Sequence, residues 1–146
     1  MEEIKFYSEK GNWGEFSNFA LYPIRIDGEI WPTTEHYFQA QKFENNSYKD
    51  KIRKSRSPMK AAELGRSRKM KIKKNWDRIK DNIMYDAVFA KFTQYSELTD
   101  LLIKTNHAKI IEHTENDTYW GDGGDGKGKN KLGKILMKVR SKLRSV

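Results

Sequence analysis

The spacing of apolar and polar positions changes along the chain, and each change predicts an element. Ile4 and Phe6 alternate with Lys5 and Tyr7, the period of two that buries one face of a strand. Residues 22–26 and 29–31 flank Asp27-Gly28, a two-residue hairpin signal, because glycine accepts the positive φ such a turn needs. From Pro32 onward the period becomes helical, and Thr33 or Thr34 can cap a helix running to about Asn45. Ser57-Pro58 supplies a cap and a first helical residue for a short helix that Gly65 stops. A longer helix is expected from Trp76 to Phe92, with Ile79, Ile83, Ala87 and Ala90 on its buried side. Ser96 caps a further helix through Lys104, and Ile110-Ile111 reads as a short strand. Leu132, Ile135, Leu136, Val139 and Leu143 mark a closing amphipathic helix. About five helices with few strands and no regular βαβ alternation predict an α+β fold, mostly helical, with a small sheet or hairpin near the N-terminus.

Length and composition fit that picture. The chain has 146 residues and no internal repeat, so a single domain over residues 1–146 is expected. Its 7 Phe, 7 Tyr and 4 Trp give the core bulky side chains that a disordered chain would lack. The absence of cysteine excludes a disulfide scaffold, a thiolate zinc site and a cysteine nucleophile. No apolar run approaches the ~20 residues needed to span a bilayer, so no membrane association is expected. An acidic start, Met1-Glu2-Glu3, and cysteine-free composition make the cytoplasm the expected location.

Charge alters the picture more. The net charge is +9, but residues 49–80 hold 14 Lys and Arg against Asp50, Glu63 and Asp77, and residues 127–146 hold eight and no acid. The remaining residues are net acidic, so the charge is polarised along the sequence. Such a field draws in phosphates, whether on a small metabolite or on a nucleic acid bound through segments 49–80 and 127–146, and is weakened by salt. An ordinary solvated surface is the alternative.

Three places could carry chemistry. The run from Gly121 to Gly128 contains G-x-G-x-x-G and G-x-x-x-x-G-K, but no apolar strand precedes it and Gly128 replaces the hydroxyl a P-loop requires. What survives is a loop whose backbone N–H groups could close on a phosphate beside a helix starting near Asn130, weighed against a plain surface loop. On the predicted first helix, spacings of four and three put Glu35, Gln39 and Lys42 in one stripe with Phe38 beside them. A carboxylate and an amine so placed shift one another's ionisation, unless the stripe is simply an exposed polar face. Trp76, in the basic segment, and Trp120, beside the glycine loop, could stack on a base or pack in the core. His36 reads as a packed or capping residue. The spacing of His36, His107 and His113 matches no zinc motif, so no metal is expected.

The ordered blocks Gly14-Glu15-Phe16-Ser17-Asn18-Phe19, Trp31-Pro32-Thr33-Thr34-Glu35-His36-Tyr37-Phe38-Gln39-Ala40-Gln41-Lys42-Phe43, Gly65-Arg66, Trp76, Lys80-Asp81, Asp117-Thr118-Tyr119-Trp120-Gly121 and Gly128-Lys129-Asn130-Lys131-Leu132-Gly133 resemble the NADAR, or YbiA-like, family over essentially the whole chain. The resemblance implies an α+β fold and N-glycosidase activity without a cofactor. The implied substrates are ribosylamino-pyrimidine phosphates of early riboflavin biosynthesis, or ADP-ribose on a modified base such as guanine. Two positions depart from the family pattern: Asn75, where an acid often precedes the tryptophan, and Asn106, where glycine is common and where asparagine tolerates the left-handed conformation.

Breaking an N-glycosidic bond builds positive charge at ribose C1 and electron density on the leaving base, so a carboxylate and a proton donor are needed. Glu35 is the first candidate carboxylate and Asp117 the second. A lysine could instead attack C1 and pass through a Schiff base. Lys80, in the most basic stretch, is favoured slightly over Lys42, which faces a carboxylate. Arg66, Gly121, Lys129 and Asn130 are expected to hold phosphates, and Trp76 or Trp120 to stack on the base. The rival reading is a non-catalytic module that binds ADP-ribose or nucleic acid.

Overall fold

The computed structural model describes residues 2–145. Its contacts divide the chain into two compact units, a central one from Leu21 to Lys91 and a terminal one formed by the segments before and after it.

In the central unit, the first strand of the expected hairpin is β2 (Ile24–Ile26), and it pairs antiparallel with β3 (Glu29–Trp31), Ile24 opposite Trp31. Asp27 and Gly28 take φ of 54° and 80°, the paired positive values of a type I′ turn. Four helices follow: α1 (Thr34–Ala40), α2 (Asn46–Arg53), α3 (Pro58–Arg66) and α4 (Trp76–Gln94), the last ending past the unit's edge at Lys91. Ile24, Trp31, Tyr37, Ala40, Phe43, Ile52, Ala61 and Ala87 form its core.

Two sequence expectations are corrected here. The first helix stops at Ala40 instead of reaching Asn45, because Lys42 and Phe43 bond back to the carbonyls of Gln39 and Ala40 in a tightened turn. Phe43, fully buried, then forms an isolated antiparallel bridge with Ile72. Asn45 opens a helix the sequence reading did not expect, its side chain accepting the N–H of Tyr48. Only Ile52 of α2 is buried, so little apolar periodicity announced it. The buried side of α4 is also shifted: Met84, Ala87 and Val88 are nearly inaccessible, while Ile79 and Ile83 are half-buried.

In the terminal unit β1 (Glu3–Phe6) pairs parallel with β4 (Lys109–Glu112), Glu3 opposite Lys109 and Phe6 opposite Glu112. Ile4, Phe6 and Ile110 are buried, with Phe16 packed edge-on to Phe6 at 6.0 Å and against Phe92 at 5.7 Å. Helix α5 (Ser96–Lys104) begins at Ser96, which is its first residue; no side chain caps it, and Thr99 donates its hydroxyl to the carbonyl of Phe92 instead. Asn106 ends the following turn at φ 57°, the left-handed conformation expected of it. Helix α6 (Lys131–Arg144) lies against β4 at Gly133, where a Cβ would collide with the carbonyl of Ile110. Buried Arg140 on α6 donates to Thr105 Oγ1 at 2.8 Å and to the carbonyl of Ala108 at 2.9 Å. Among the described residues, six α-helices and two two-stranded sheets make the α+β, mostly helical architecture that the patterning predicts. No helix among the described residues is long and apolar enough to cross a membrane.

Candidate active site

The central unit fixes α1 before it places any reactive group. Thr33 caps the helix by accepting the N–H of His36, and its hydroxyl lies 2.8 Å from His36 Nδ1. His36 Nε2 lies 3.1 Å from the carbonyl of Ser55. A carbonyl only accepts, so the proton is on Nε2, and Nδ1 accepts from Thr33. Burial pushes the His36 pKa below the ordinary value, with the Ser55 bond opposing, so the ring is a neutral strut joining α1 to the segment after α2. That is the packed, capping role expected of it.

Glu35 and Gln39 meet along α1 as the spacing predicts, whereas Lys42 lies in the turn past the helix's last residue, Ala40. Gln39 donates Nε2 to Glu35 Oε2 at 2.7 Å. This bond is possible only because α3 presents Gly65, where any Cβ would strike the Gln39 amide oxygen. That oxygen is buried and has no partner among the described residues, so the amide is held by shape on one side and by the carboxylate on the other. Lys42 Nζ lies 3.5 Å from the Gly65 carbonyl, which also accepts from Arg68 at 2.9 Å. One residue of α3 therefore seats both the amide and the amine.

The amine is unusual. Burial pulls the Lys42 pKa down to about 8, Arg68, Arg66 and Lys80 add repulsion, and Glu35 opposes them. At pH 7 roughly a tenth of such amines are neutral, against fewer than about one in a thousand for an ordinary lysine. Lys80, the slightly favoured candidate from sequence, has its ammonium 3.2 Å from Asp77 Oδ1 one helical turn earlier. It acts here as one of the cations that unload Lys42. Arg66 is exposed at the end of α3. Trp76 is buried, its ring 5.1 Å from that of Phe38, which shares the Glu35 side of α1.

The terminal unit holds the other sequence candidates in a single loop. Asp117 Oδ1 accepts the N–H groups of Tyr119 at 2.9 Å and Trp120 at 2.8 Å. Trp120 is half-buried, edge-on to Tyr119 at 4.9 Å. Gly121 is buried where a Cβ would crowd Thr114 and the carbonyls of Asp117 and Glu112. Asn130, in the left-handed region at φ 51°, accepts from the Glu112 N–H at 3.0 Å and donates to the Ile110 carbonyl at 2.9 Å. Lys129 is exposed, its ammonium 5.3 Å from the Tyr119 ring centroid. The N–H groups of Gly123, Gly124, Lys127, Gly128, Lys129, Asn130, Lys131 and Leu132 all donate to acceptors of the same loop. A phosphate arriving here meets side chains more than free amides.

Sequence reasoning missed Gly65 as the seat of the stripe, Arg68 as a cation acting on Lys42, and a pair formed by His113 and Asp122. His113 Nδ1 lies 2.7 Å from Asp122 Oδ2. Asp122 is buried, which would raise its pKa, yet bonds from His113, Gly124 and Thr114 hold it below the usual carboxylate range. Eight residues of irregular loop separate the pair, so no periodicity could have revealed it. No group of three or more His, Asp or Glu suited to a metal ion occurs among the described residues.

Set beside known proteins, the sequence matches the NADAR domain family over residues 5–144. It is 55% identical over 140 residues to the N-glycosidase YbiA of Escherichia coli, covering 96% of this chain and 88% of that one. An N-glycosidase of Nostoc punctiforme is 38% identical, covering 98% and 94%. A riboflavin biosynthesis protein of Vibrio vulnificus is 37% identical over 97% of this chain, which spans 39% of that longer protein. The NMR structure of Escherichia coli YbiA superposes with a TM-score of 0.92 at 53% identity, covering 99% of this chain and 86% of that one.

Proposed function

The chain belongs to the NADAR domain family and is a glycosidase, and we propose that it cleaves the bond between ribose C1 and nitrogen in a phosphorylated N-riboside, with Lys42 as nucleophile. The observation that carries this reading is the Lys42 amine held near 8 by burial and surrounding cations while lying one stripe from a carboxylate. A neutral amine is what attack at a sugar carbon requires.

The steps balance as follows. The Lys42 lone pair forms a bond to C1 while the C1–N bond breaks, and its electron pair leaves with the base, which takes up a proton. The new C1–N ammonium gives one proton to Glu35; the nitrogen lone pair then forms the C1=N bond as the C1–O4′ bond breaks, and the ring oxygen takes up the remaining N–H proton as a hydroxyl. Water adds to C1 of the imine and expels the amine, releasing the sugar phosphate and restoring Lys42. Glu35 supports the positive charge that develops at C1 and takes the proton of the attacking amine. Gln39 is a positioning residue that fixes the rotamer of Glu35 through the 2.7 Å bond. We assign the substrate phosphate to Arg66, whose exposure at the end of α3 supports that role.

The substrate we infer is a ribosylamino-pyrimidine phosphate, and the riboflavin biosynthesis names of two longer relatives support that class. An ADP-ribosylated guanine is the competing substrate, with the same C1–N bond. Incubating the chain with each and weighing the products tests the reading. Free pyrimidine with ribose phosphate is expected from the first. Release from the second alone would transfer the assignment to ADP-ribose, and release from neither would contradict it.

A further inference from the structure

The terminal unit contains a cavity of about 410 Å³, within the ~300–1,000 Å³ range of small-molecule sites, and the chemistry proposed above makes no use of it. Its floor is one face of the parallel pair: Glu3 and Lys5 of β1 and Lys109 and Ile111 of β4 share it because they alternate along their strands. The glycine loop forms one wall, and Lys134 and Met137, three residues apart on α6, form another.

The charges in this recess are unbalanced. Lys5, Lys109, Lys129 and Lys134 line it, and none of the four is in an ion pair among the described residues. Three carboxylates also line it, but Asp122 is turned to His113 and to the N–H groups of Thr114 and Gly124. Asp125 accepts the N–H of Lys127, which leaves Glu3 beside its strand neighbour Lys109. The carboxylates keep their charge, but none lies within ion-pair distance of the four ammonium groups among the described residues, which leaves those groups able to close on an anion. His113 lines the same cavity with Nδ1 committed to Asp122, so Nε2 is its nitrogen left to meet a ligand.

We infer that this recess binds the phosphate monoester or diphosphate group of a small organic molecule. No arginine lines it, so an anion here is met by ammonium groups, which bind phosphate as point charges. The volume exceeds what a lone phosphate fills, and Ile111 and Met137 supply apolar surface for the organic part. The inference is independent of which lysine attacks C1.

The test is a titration of the ¹⁵N-labelled full chain with inorganic phosphate, pyrophosphate and a nucleoside diphosphate, following the His113 ring nitrogens. Saturable binding is expected, with the Nε2 signal moving and affinity rising in that order. The double variant Lys109→Glu, Lys134→Glu changes two exposed side chains and is expected to weaken binding by roughly tenfold or more. Lys51→Glu, Lys54→Glu, an equal charge change on α2 and its cap, is expected to leave it within about twofold. Equal losses in the two double variants would mean that net charge alone attracts the anion. That result, an unmoved His113 signal, pyrophosphate binding more tightly than the nucleoside diphosphate, or no saturation by either, would overturn the inference.

Discussion

Among single residues, Lys42 combines a neighbouring carboxylate with an amine whose pKa is pulled down to about 8. Proximity to Glu35 alone would keep Lys42 charged, and on spacing alone that favours Lys80. Folding adds two terms that spacing does not contain: burial, which is the largest, and the guanidiniums of Arg68 and Arg66, which come from α3 and the turn after it. Glu35→Gln keeps the shape and one hydrogen-bonding oxygen while removing the charge. The variant is expected to stay folded by circular dichroism and to lose about 10²-fold or more in turnover; near-normal turnover would remove Glu35 from the chemistry. Gly65→Ala places a methyl group on the Gln39 amide oxygen. Its expected signature is a lowered melting temperature with a rate loss at saturating substrate, because Gln39 can no longer hold Glu35. Asp117 makes a different kind of prediction. Its Oδ1 closes the loop on two N–H groups, so Asp117→Asn should melt like the parent, whereas Asp117→Ala should lose about 1–2 kcal/mol in denaturant unfolding.

At the scale of elements, the chain shows where local signals suffice and where they fail. The hairpin was legible because Asp27-Gly28 permits only a few turns, and α6 because five apolar positions repeat on one face. Helix α2 was not, since a single buried side chain, Ile52, gives no period, and its cap, Asn45, was read as the tail of α1. The Glu35, Gln39 and Lys42 stripe was visible as a spacing, but its meaning depends on Gly65 from another helix. Anchoring of α1 by neutral His36 carries a pH signature. Its folded pKa lies below the ordinary 6.5, so the unfolded chain binds more protons as pH falls through that value. Stability contributed by the neutral ring is present above about pH 6.5 and is lost on acidification. The melting temperature is therefore expected to fall between pH 7 and pH 5. A His36→Gln variant, which cannot titrate there, should show a smaller fall; an equal fall in both would show that other groups govern acid sensitivity.

At the scale of the whole molecule, a net charge of +9 concentrated in two segments means that ionic strength enters the chemistry. Part of the depression of Lys42 comes from Arg68, Arg66 and Lys80, and salt screens that part while leaving the burial term. The rate should rise with pH through about 8 as the amine becomes neutral, and added salt should move that limb upward, towards the ordinary lysine value. Arg68→Gln should move it the same way at low salt. A limb that is unmoved by both would assign it to another group.

Borohydride reduction during turnover, followed by peptide mass mapping, shows whether Lys42 bonds to C1. An imine reduces to a stable secondary amine, so the account predicts the mass of the sugar phosphate on the peptide containing Lys42, and none in Lys42→Arg. An adduct on the peptide containing Lys80, or full turnover with no trapped adduct on any lysine, would contradict it.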